Sequence, residues 1–268
     1  ISNTIKADLA DIVQNAVLTA SIKKGDYVLD IGSNDGTLLS TYPEGCKRVG
    51  IDPVTKFVDE AKKHADIIIN DYFNYDVIKK AVGDQKFKII TTISCFYDMS
   101  DVNQFVSDIT KILDPNGLWV VQQNYLVGML TQNAFDNIVH EHVFYYSLLS
   151  LESLLERYGL EVFHVELNDI NGGSFRTYIR FKKDQPTNFS VLALRQGEKA
   201  LGLDNEKIYF RFAKRIKDIS QTIYEFVANS VEKGKIFYTL SASTRGSTLL
   251  QTCNLNNRLL QAAVERNP

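Results

Sequence analysis

Little in this sequence marks it for an oxidising compartment, a membrane or a polyanion. Its three cysteines, Cys46, Cys95 and Cys253, are scattered along 268 residues, without the spacing of a disulfide framework or a metal cluster. Reduced thiols in a cytoplasmic protein are the expectation. No apolar run reaches the roughly eighteen residues that a membrane-spanning helix needs, and the first residues lack the pattern of a secretory leader. Lys and Arg number 30 against 32 Asp and Glu, for a net charge of −2. No basic run is present that would track a phosphate backbone, so neither nucleic acid nor a membrane is an expected partner. What is present is ordinary globular material, 44% hydrophobic and 23% charged, enough for one large domain or one domain plus a smaller one. The first residue is Ile1, not Met, which suggests a piece of a longer chain.

The most informative stretch is residues 27–39, Y-V-L-D-I-G-S-N-D-G-T-L-L. An apolar run with one acid, Asp30, meets a glycine-rich turn, and helix-compatible residues follow. Gly32 and Gly36 let the backbone approach a ligand and take dihedrals that a Cβ forbids. A helix start then offers free N–H groups. The spacing is D-x-G-x-x-x-G, not the G-x-G-x-x-G of dinucleotide binders. It resembles the first motif of class I S-adenosylmethionine (SAM) methyltransferases, whose glycines approach the methionine part of the cofactor. That resemblance implies an acid at the end of the next strand, to accept the ribose hydroxyls. Asp52, in V-G-I-D-P, stands 22 residues after Asp30. The alternative is a ligand-free strand, turn and helix of any α/β domain.

Strand and helix alternate from there. Ile5, Leu9, Ile12, Val13, Ala16 and Val17 have helical spacing over 4–22. Strands are predicted at 27–31, 48–51, 67–69, 88–94 and 118–122, helices at 54–64 and 102–113, and a D-P-N-G turn at 114–117. Such alternation implies a parallel sheet with right-handed crossovers. Residues 160–167 and 174–181 read as an antiparallel pair, because the short N-D-I-N-G-G link suits a hairpin. L-D-P-N-G is similar to a turn that precedes strand five in the same methyltransferases, and the strand pair would complete their seven-stranded sheet. The predicted fold is α/β, a Rossmann-like methyltransferase domain over 1–183. A helical connector over 184–233 follows, with Phe212, Ile216, Ile219, Ile223 and Phe226 on one face. Residues 234–268 open a second, smaller α/β unit: a strand at 235–240, the loop S-A-S-T-R-G, one helix and one further strand.

Two clusters carry candidate chemistry. V-H-E-H-V-F-Y-Y-S (139–147) puts His140, Glu141 and His142 within three residues, followed by Tyr145 and Tyr146. Imidazole is poised near neutral pH to remove a proton, and a neighbouring Glu can orient the ring. A metal site and a purely structural loop are the alternatives, but H-E-x-x-H spacing is absent and no metal is expected. N-D-I-N-G-G-S-F-R (168–176) offers Asn171, Gly172, Ser174 and Arg176 for a polyhydroxylated or phosphorylated molecule. Its alternative is a hairpin turn in which the glycines serve geometry alone.

In this order and over most of the chain, V-L-D-I-G-S-N-D-G-T-L-L, G-I-D-P, H-E-H-V-F-Y-Y-S, N-D-I-N-G-G-S-F-R and S-A-S-T-R-G-S-T-L-L-Q resemble SAM-dependent C-methyltransferases of nucleotide-linked deoxysugars. Those enzymes have an N-terminal zinc-binding module, a SAM domain and a C-terminal domain that holds the nucleotide. This sequence matches the middle part and the opening of the last, and shows no zinc-binding cysteine module. The resemblance implies that a base removes the proton α to a keto group and that the enolate carbon takes the methyl of SAM, leaving S-adenosylhomocysteine. His142 would be the base, with Glu141 beside it and His140 and Tyr145 in support. Asp30, Gly32, Ser33, Asn34 and Gly36 would hold the amino-acid part of SAM, with Ser94 at its border. Asp52 and Pro53 would meet the ribose, and Asp71 with Tyr72 the adenine. Tyr97, Tyr146, Asn171, Gly172, Ser174, Arg176, Ser243 and Arg245 would meet the nucleotide sugar. Val139 and Asp98 stand where such enzymes often have Tyr and His, which leaves an oxygen or nitrogen acceptor open. O-methylation of a small sugar or cell-surface-polymer precursor is one alternative function, and a non-catalytic SAM-fold binding protein another.

Overall fold

In the computed structural model, which describes residues 2–240 and 243–264, a mixed sheet of seven strands carries the chain. The strands are β1 (Tyr27–Ile31), β2 (Lys47–Ile51), β3 (Ile67–Ile69), β4 (Phe87–Ile93), β5 (Leu113–Asn124), β6 (Leu160–Asn168) and β7 (Ser174–Phe181). Their order is β3-β2-β1-β4-β5-β7-β6. The first five run parallel, while β7 is antiparallel to both β5 and β6. The expected seven-stranded methyltransferase sheet is therefore found. Around it lie α1 (Asn3–Ala20), α2 (Val58–Ala61), α3 (Tyr75–Val82), α4 (Val102–Ile112), α5 (Leu126–Gln132), α6 (Leu148–Glu156), α7 (Phe189–Leu201) and α8 (Glu206–Glu232). Strand order reverses between β1 and β4, and at such a point the loops leaving the carboxyl ends diverge into a crevice.

Both faces of the sheet are apolar, as parallel strands covered by helices require. Along β5 the period of two sends Leu118 and Val120 to one layer and Trp119 and Val121 to the other. The first layer is closed by Ile12, Val13 and Ala16 of α1, the second by Phe105 and Ile109 of α4 and Leu151 and Leu155 of α6. α1 starts at Ser2, whose hydroxyl accepts from Ile5 N–H at 3.3 Å.

Some elements differ from the sequence expectation. The D-P-N-G segment is a bulge inside β5, not a turn before it. Phe87 pairs with Leu113 but Ile89 with Leu118, so residues 114–117 loop out, tied down by Lys88 Nζ donating to Asn116 O at 2.9 Å. The helix predicted over 54–64 breaks into a 3₁₀ turn (Thr55–Phe57) and the single turn α2. α3, α5 and α6 add to the predicted elements, while α7 and α8 both fall within the predicted helical connector. Along α8 the buried residues are Phe212, Ile216, Ser220, Val227 and Ser230. Phe226 sits about 100° away from Val227 around the axis and is 63% exposed.

After α8, β8 (Tyr238–Leu240) and β9 (Ala262–Val264) pair in parallel, with α9 (Thr244–Thr252) between them in sequence. Ser241 and Ala242 of the predicted loop, and the closing residues 265–268, lie outside the described residues. Among the described residues no helix is long and apolar enough to cross a membrane.

Candidate active site

The first half of the site forms where β1 ends. Asp30 is buried and its Oδ1 accepts from the Thr91 hydroxyl at 2.6 Å. Burial, with the charge of Asp52 adding, pushes its carboxyl up to about 7 although the Thr91 bond opposes this. Gly32 (φ 77°) and Asn34 (φ 46°) take left-handed backbone, and a Cβ on Gly32 would stand 3.1 Å from Cys95 Sγ. Asn34 locks the turn: Nδ2 donates to Gly32 O at 2.9 Å, and its backbone N–H donates to Asp52 Oδ2 at 2.9 Å. Asp52 Oδ1 accepts from Val54 N–H at 2.8 Å. Its carboxylate is thus fixed, and each oxygen keeps a lone pair.

A cavity of about 260 Å³ opens beside this turn, lined by Asp30, Gly32, Ser33, Asn34 and Ser94, with Gln122 and Asn171 opposite. Ile5, Asp8 and Leu9 of α1 close one side. In the sequence they read only as part of an amphipathic helix. Gly36 belongs elsewhere: a Cβ there would lie 3.1 Å from Ala61 Cα, so this glycine admits α2 against the loop rather than a ligand. Ser33 Oγ packs toward Gly50, where a Cβ would come within 2.7 Å of it. Asp52, Pro53, Asp71 and Tyr72 do not line the cavity. Pro53, Asp71 and Tyr72 are exposed beyond β2 and β3.

The second half hangs on an excursion between β5 and α6. It leaves at Tyr125 and returns at Tyr146, which bridge each other, and Leu126 N–H donates to Tyr146 O at 3.0 Å. The excursion carries α5, a 3₁₀ turn (Phe135–Asn137) and the H-E-H loop. Val143 and Phe144 N–H both donate to Tyr97 O, at 3.0 and 3.1 Å, tying the loop to the end of β4. The His142 ring lies 4.3 Å from that of Tyr97, and its Nδ1 is 2.9 Å from Asn137 O. A carbonyl only accepts, so Nδ1 carries the hydrogen and Nε2 keeps its lone pair. Burial holds His142 below the ordinary imidazole value, against the opposing pull of the Asn137 carbonyl and the Glu141 charge. Tyr145 Oη donates to the same carbonyl at 3.4 Å. Asp98 has a buried, unpartnered Oδ1, and burial with the Glu141 charge pushes its carboxyl up to about 6.

Several predicted contacts are corrected. Glu141 does not orient the base: its Oε1 is 3.8 Å from His140 Nε2, and both side chains are more than half exposed. The backbone carbonyl of Asn137 takes that role, and a carbonyl leaves no mark in a sequence. His140 stands at the surface. Tyr146 is buried and stacked on Phe96 at 5.2 Å, in the core. Ser174 is buried, with its hydroxyl donating to Ile170 O at 2.8 Å. Arg176 is buried too: its guanidinium donates to Asp8, Asp11, Glu166 and Gln122 at 2.6–3.1 Å, leaving no face for a substrate.

Asn171, Gly172 and Arg245 do come together. Asn171 Nδ2 donates to Ser94 Oγ at 3.4 Å, Arg245 Nη1 donates to Asn171 O at 3.2 Å, and Arg245 Nε donates to Asp136 Oδ2 at 2.7 Å. A Cβ on Gly172 would meet Arg245 Nη2 at 3.3 Å. Arg245 thereby links α9 to the hairpin and to the turn that carries Asn137. Ser243 accepts from Gly246 N–H at 3.1 Å as the cap of α9.

Residues 3–165 match the family model of a methyltransferase domain. The chain belongs to that methyltransferase family. Residues 169–268 match a second family, the C-methyltransferase C-terminal domain. The C-methyltransferase NovU of Streptomyces niveus is 30% identical over 260 residues, 96% of this chain but 62% of NovU. A ubiquinone biosynthesis O-methyltransferase of Bartonella tribocorum is 33% identical over 97 residues, 35% of this chain and 39% of that protein. The chain thus spans less than two thirds of either curated relative. Among solved structures, N-methyltransferase NodS from Bradyrhizobium japonicum WM9 has a TM-score of 0.50 at 15% identity, covering 68% of this chain and 99% of its own. A methyltransferase from Clostridium acetobutylicum has a TM-score of 0.51 at 12% identity, covering 66% of this chain and 92% of its own. These likenesses show the class I methyltransferase fold.

A SAM-dependent methyltransferase takes SAM as its cofactor, and the residues here fit it. Gly32, Asn34 and Asp30 line the cavity, and Asp52 is held with free lone pairs at the end of β2. Asp30 gives a testable sign. An acid raised from 3.8 to about 7 by folding holds its proton more tightly in the folded state. Its stabilising share is full below about pH 4 and is lost as pH rises toward about 7. In thermal scans without cofactor, Asp30→Asn is therefore expected to gain in Tm on the wild type between about pH 5 and pH 8. A constant difference across that range would contradict the buried, protonated acid.

Proposed function

We propose that the chain is the methyl-transfer part of an enzyme that C-methylates a keto sugar attached to a nucleotide. The observation that carries this reading is His142, a half-buried imidazole whose Nδ1 hydrogen is committed to Asn137 O, leaving Nε2 as a base. The match to a C-methyltransferase over nearly the whole chain supports a carbon acceptor. The sugar nucleotide rests on the resemblance of H-E-H and N-D-I-N-G-G-S-F-R to deoxysugar enzymes.

Proton removal α to a ketone is too uphill for imidazole alone, so the site must stabilise the enolate oxygen. Preorganised donors contribute about 3–4 kcal/mol each. We assign this donor to Tyr145, whose hydroxyl shares the Asn137 carbonyl with His142. SAM, when bound, supplies the electrophilic methyl that the enolate carbon accepts. Asp30, Gly32, Asn34 and Ser94 would hold its methionine part, Asp52 its ribose, and Asp71 with Tyr72 its adenine. Asn171, Gly172 and Arg245 would border the acceptor from the hairpin side, and Tyr97 from the β4 side.

O-methylation is a second reading, favoured by the partial likeness to an O-methyltransferase. Solvent exchange separates the two. In deuterium oxide without SAM, the C-methylating enzyme is expected to wash deuterium into the carbon α to the keto group, seen by mass spectrometry. Methyl transfer without that washout would give the reaction to oxygen. SAM binding with neither event, over a panel of keto-sugar nucleotides, would leave a binding protein.

A further inference from the structure

One buried acid takes no part in the chemistry above. Glu198, on α7, is 1% exposed. Its Oε1 accepts from the Tyr125 hydroxyl at 2.9 Å and from Leu148 N–H at 2.6 Å, and its Oε2 accepts from Leu149 N–H at 2.9 Å. Arg195, one turn earlier on α7, does not neutralise it, being held by Glu152 of α6 at 2.7 and 3.0 Å. What holds the carboxylate is three donors and the N-terminal end of α6, whose partial positive charge favours an anion.

The position of those donors is informative. Tyr125 is where the His142-bearing excursion leaves β5, and Leu148 and Leu149 follow directly on its return at Tyr146 and Ser147. Ser147 already caps Ser150 N–H, so α6 would be capped without Glu198. The extra acid instead joins the two ends of the excursion from outside the sheet. Between those ends lie Asn137, which sets the tautomer of His142, and Asp136, which holds Arg245.

We propose that Glu198 is a positioning residue for methyl transfer: it clamps the neck of the excursion and so fixes His142 in its place beside Tyr97. The proposal rests on the reading of His142 as the base. It predicts that loosening the neck moves the base without touching the walls of the SAM cavity, none of which Glu198 contacts.

The test uses Glu198→Gln, which keeps one acceptor oxygen, and Tyr125→Phe, which removes only the hydroxyl. Deuterium washout is expected to fall about tenfold to a hundredfold, the scale on which small misplacements of a catalytic group act. SAM affinity by calorimetry should stay within about threefold, a change of well under one kcal/mol. The acid limb of washout against pH should move up toward the ordinary imidazole value as water reaches the His142 ring, a shift that lost stability alone would not produce. Amide hydrogen exchange should show protection lost in residues 126–146 and kept in β1 to β4. Unchanged protection in 126–146, or equal loss throughout the sheet, would overturn the proposal, as would slower washout with an unmoved limb. If the wild type shows no washout at all, the base assignment fails by itself. The exchange contrast then still decides whether Glu198 holds the excursion.

Discussion

Replacing His142 by alanine is expected to lower turnover by about 10²–10⁴-fold, the range over which a positioned general base acts, with SAM affinity changed only a few-fold. The ring is fixed at one end by Asn137 O at 2.9 Å and along its face by Tyr97 at 4.3 Å. Alanine removes the acceptor of the proton but no wall of the cofactor cavity, which is lined from β1, α1, β4, β5 and the hairpin. The pH profile carries a sign. A base works in its unprotonated form, and burial holds His142 below 6.5. The acid limb of kcat/KM is therefore expected below the ordinary imidazole value. His140→Ala is the paired control, since that side chain is 83% exposed. Activity near wild type in His142→Ala, or equal losses at both histidines, would remove the assignment.

Much of the fold was legible because apolar runs bounded by turn-forming residues are local signals. β1 falls on 27–31, β3 on 67–69 and β7 on 174–181, as predicted, and the β6–β7 hairpin follows from its short N-G-G link. The D-P-N-G bulge was not legible, because a turn sequence does not reveal whether its neighbour strand pairs on both sides of it. The buried face of α8 was legible at Phe212, Ile216 and Ile223 but not toward its end, where Val227 and Ser230 face inward and Phe226 outward.

The site divides in the same way. Asp30, Gly32 and Asn34 are marked by a spacing that backbone geometry demands, and they line one cavity. Asn137 acts through its carbonyl, which any residue supplies. Glu198 sits on a helix of mixed charge and looks like an ordinary surface acid until tertiary packing buries it. Arg176 illustrates the opposite error: placed beside N-G-G, it reads as a substrate ligand, but two of its partners lie on α1, more than 160 residues away.

That correction leads to the second large expected effect. Arg176→Met should destabilise the protein by about 3–5 kcal/mol, the usual result of removing one member of a buried charge cluster, or a fall in Tm of about 10 °C. The Arg176 side chain is 3% exposed and that of Asp8 11%, so Asp8 loses its cation in a place that water reaches poorly. Asp11 is 57% exposed and rehydrates, which argues for the lower end of the range. Gln122 Nε2 still donates to Asp8 at 2.6 Å, but nothing then joins α1 to Glu166 of β6. Because Ile5, Asp8 and Leu9 line the cofactor cavity, a loosened α1 should also weaken SAM binding. A substrate-binding arginine behaves differently: its loss raises the KM of the acceptor while Tm and SAM affinity stay put. Thermal scans and SAM calorimetry on Arg176→Met, beside Asp8→Asn, therefore separate the two roles. If both variants melt with the wild type and only acceptor KM rises, the clamp assignment is wrong, and the guanidinium must leave α1 during turnover.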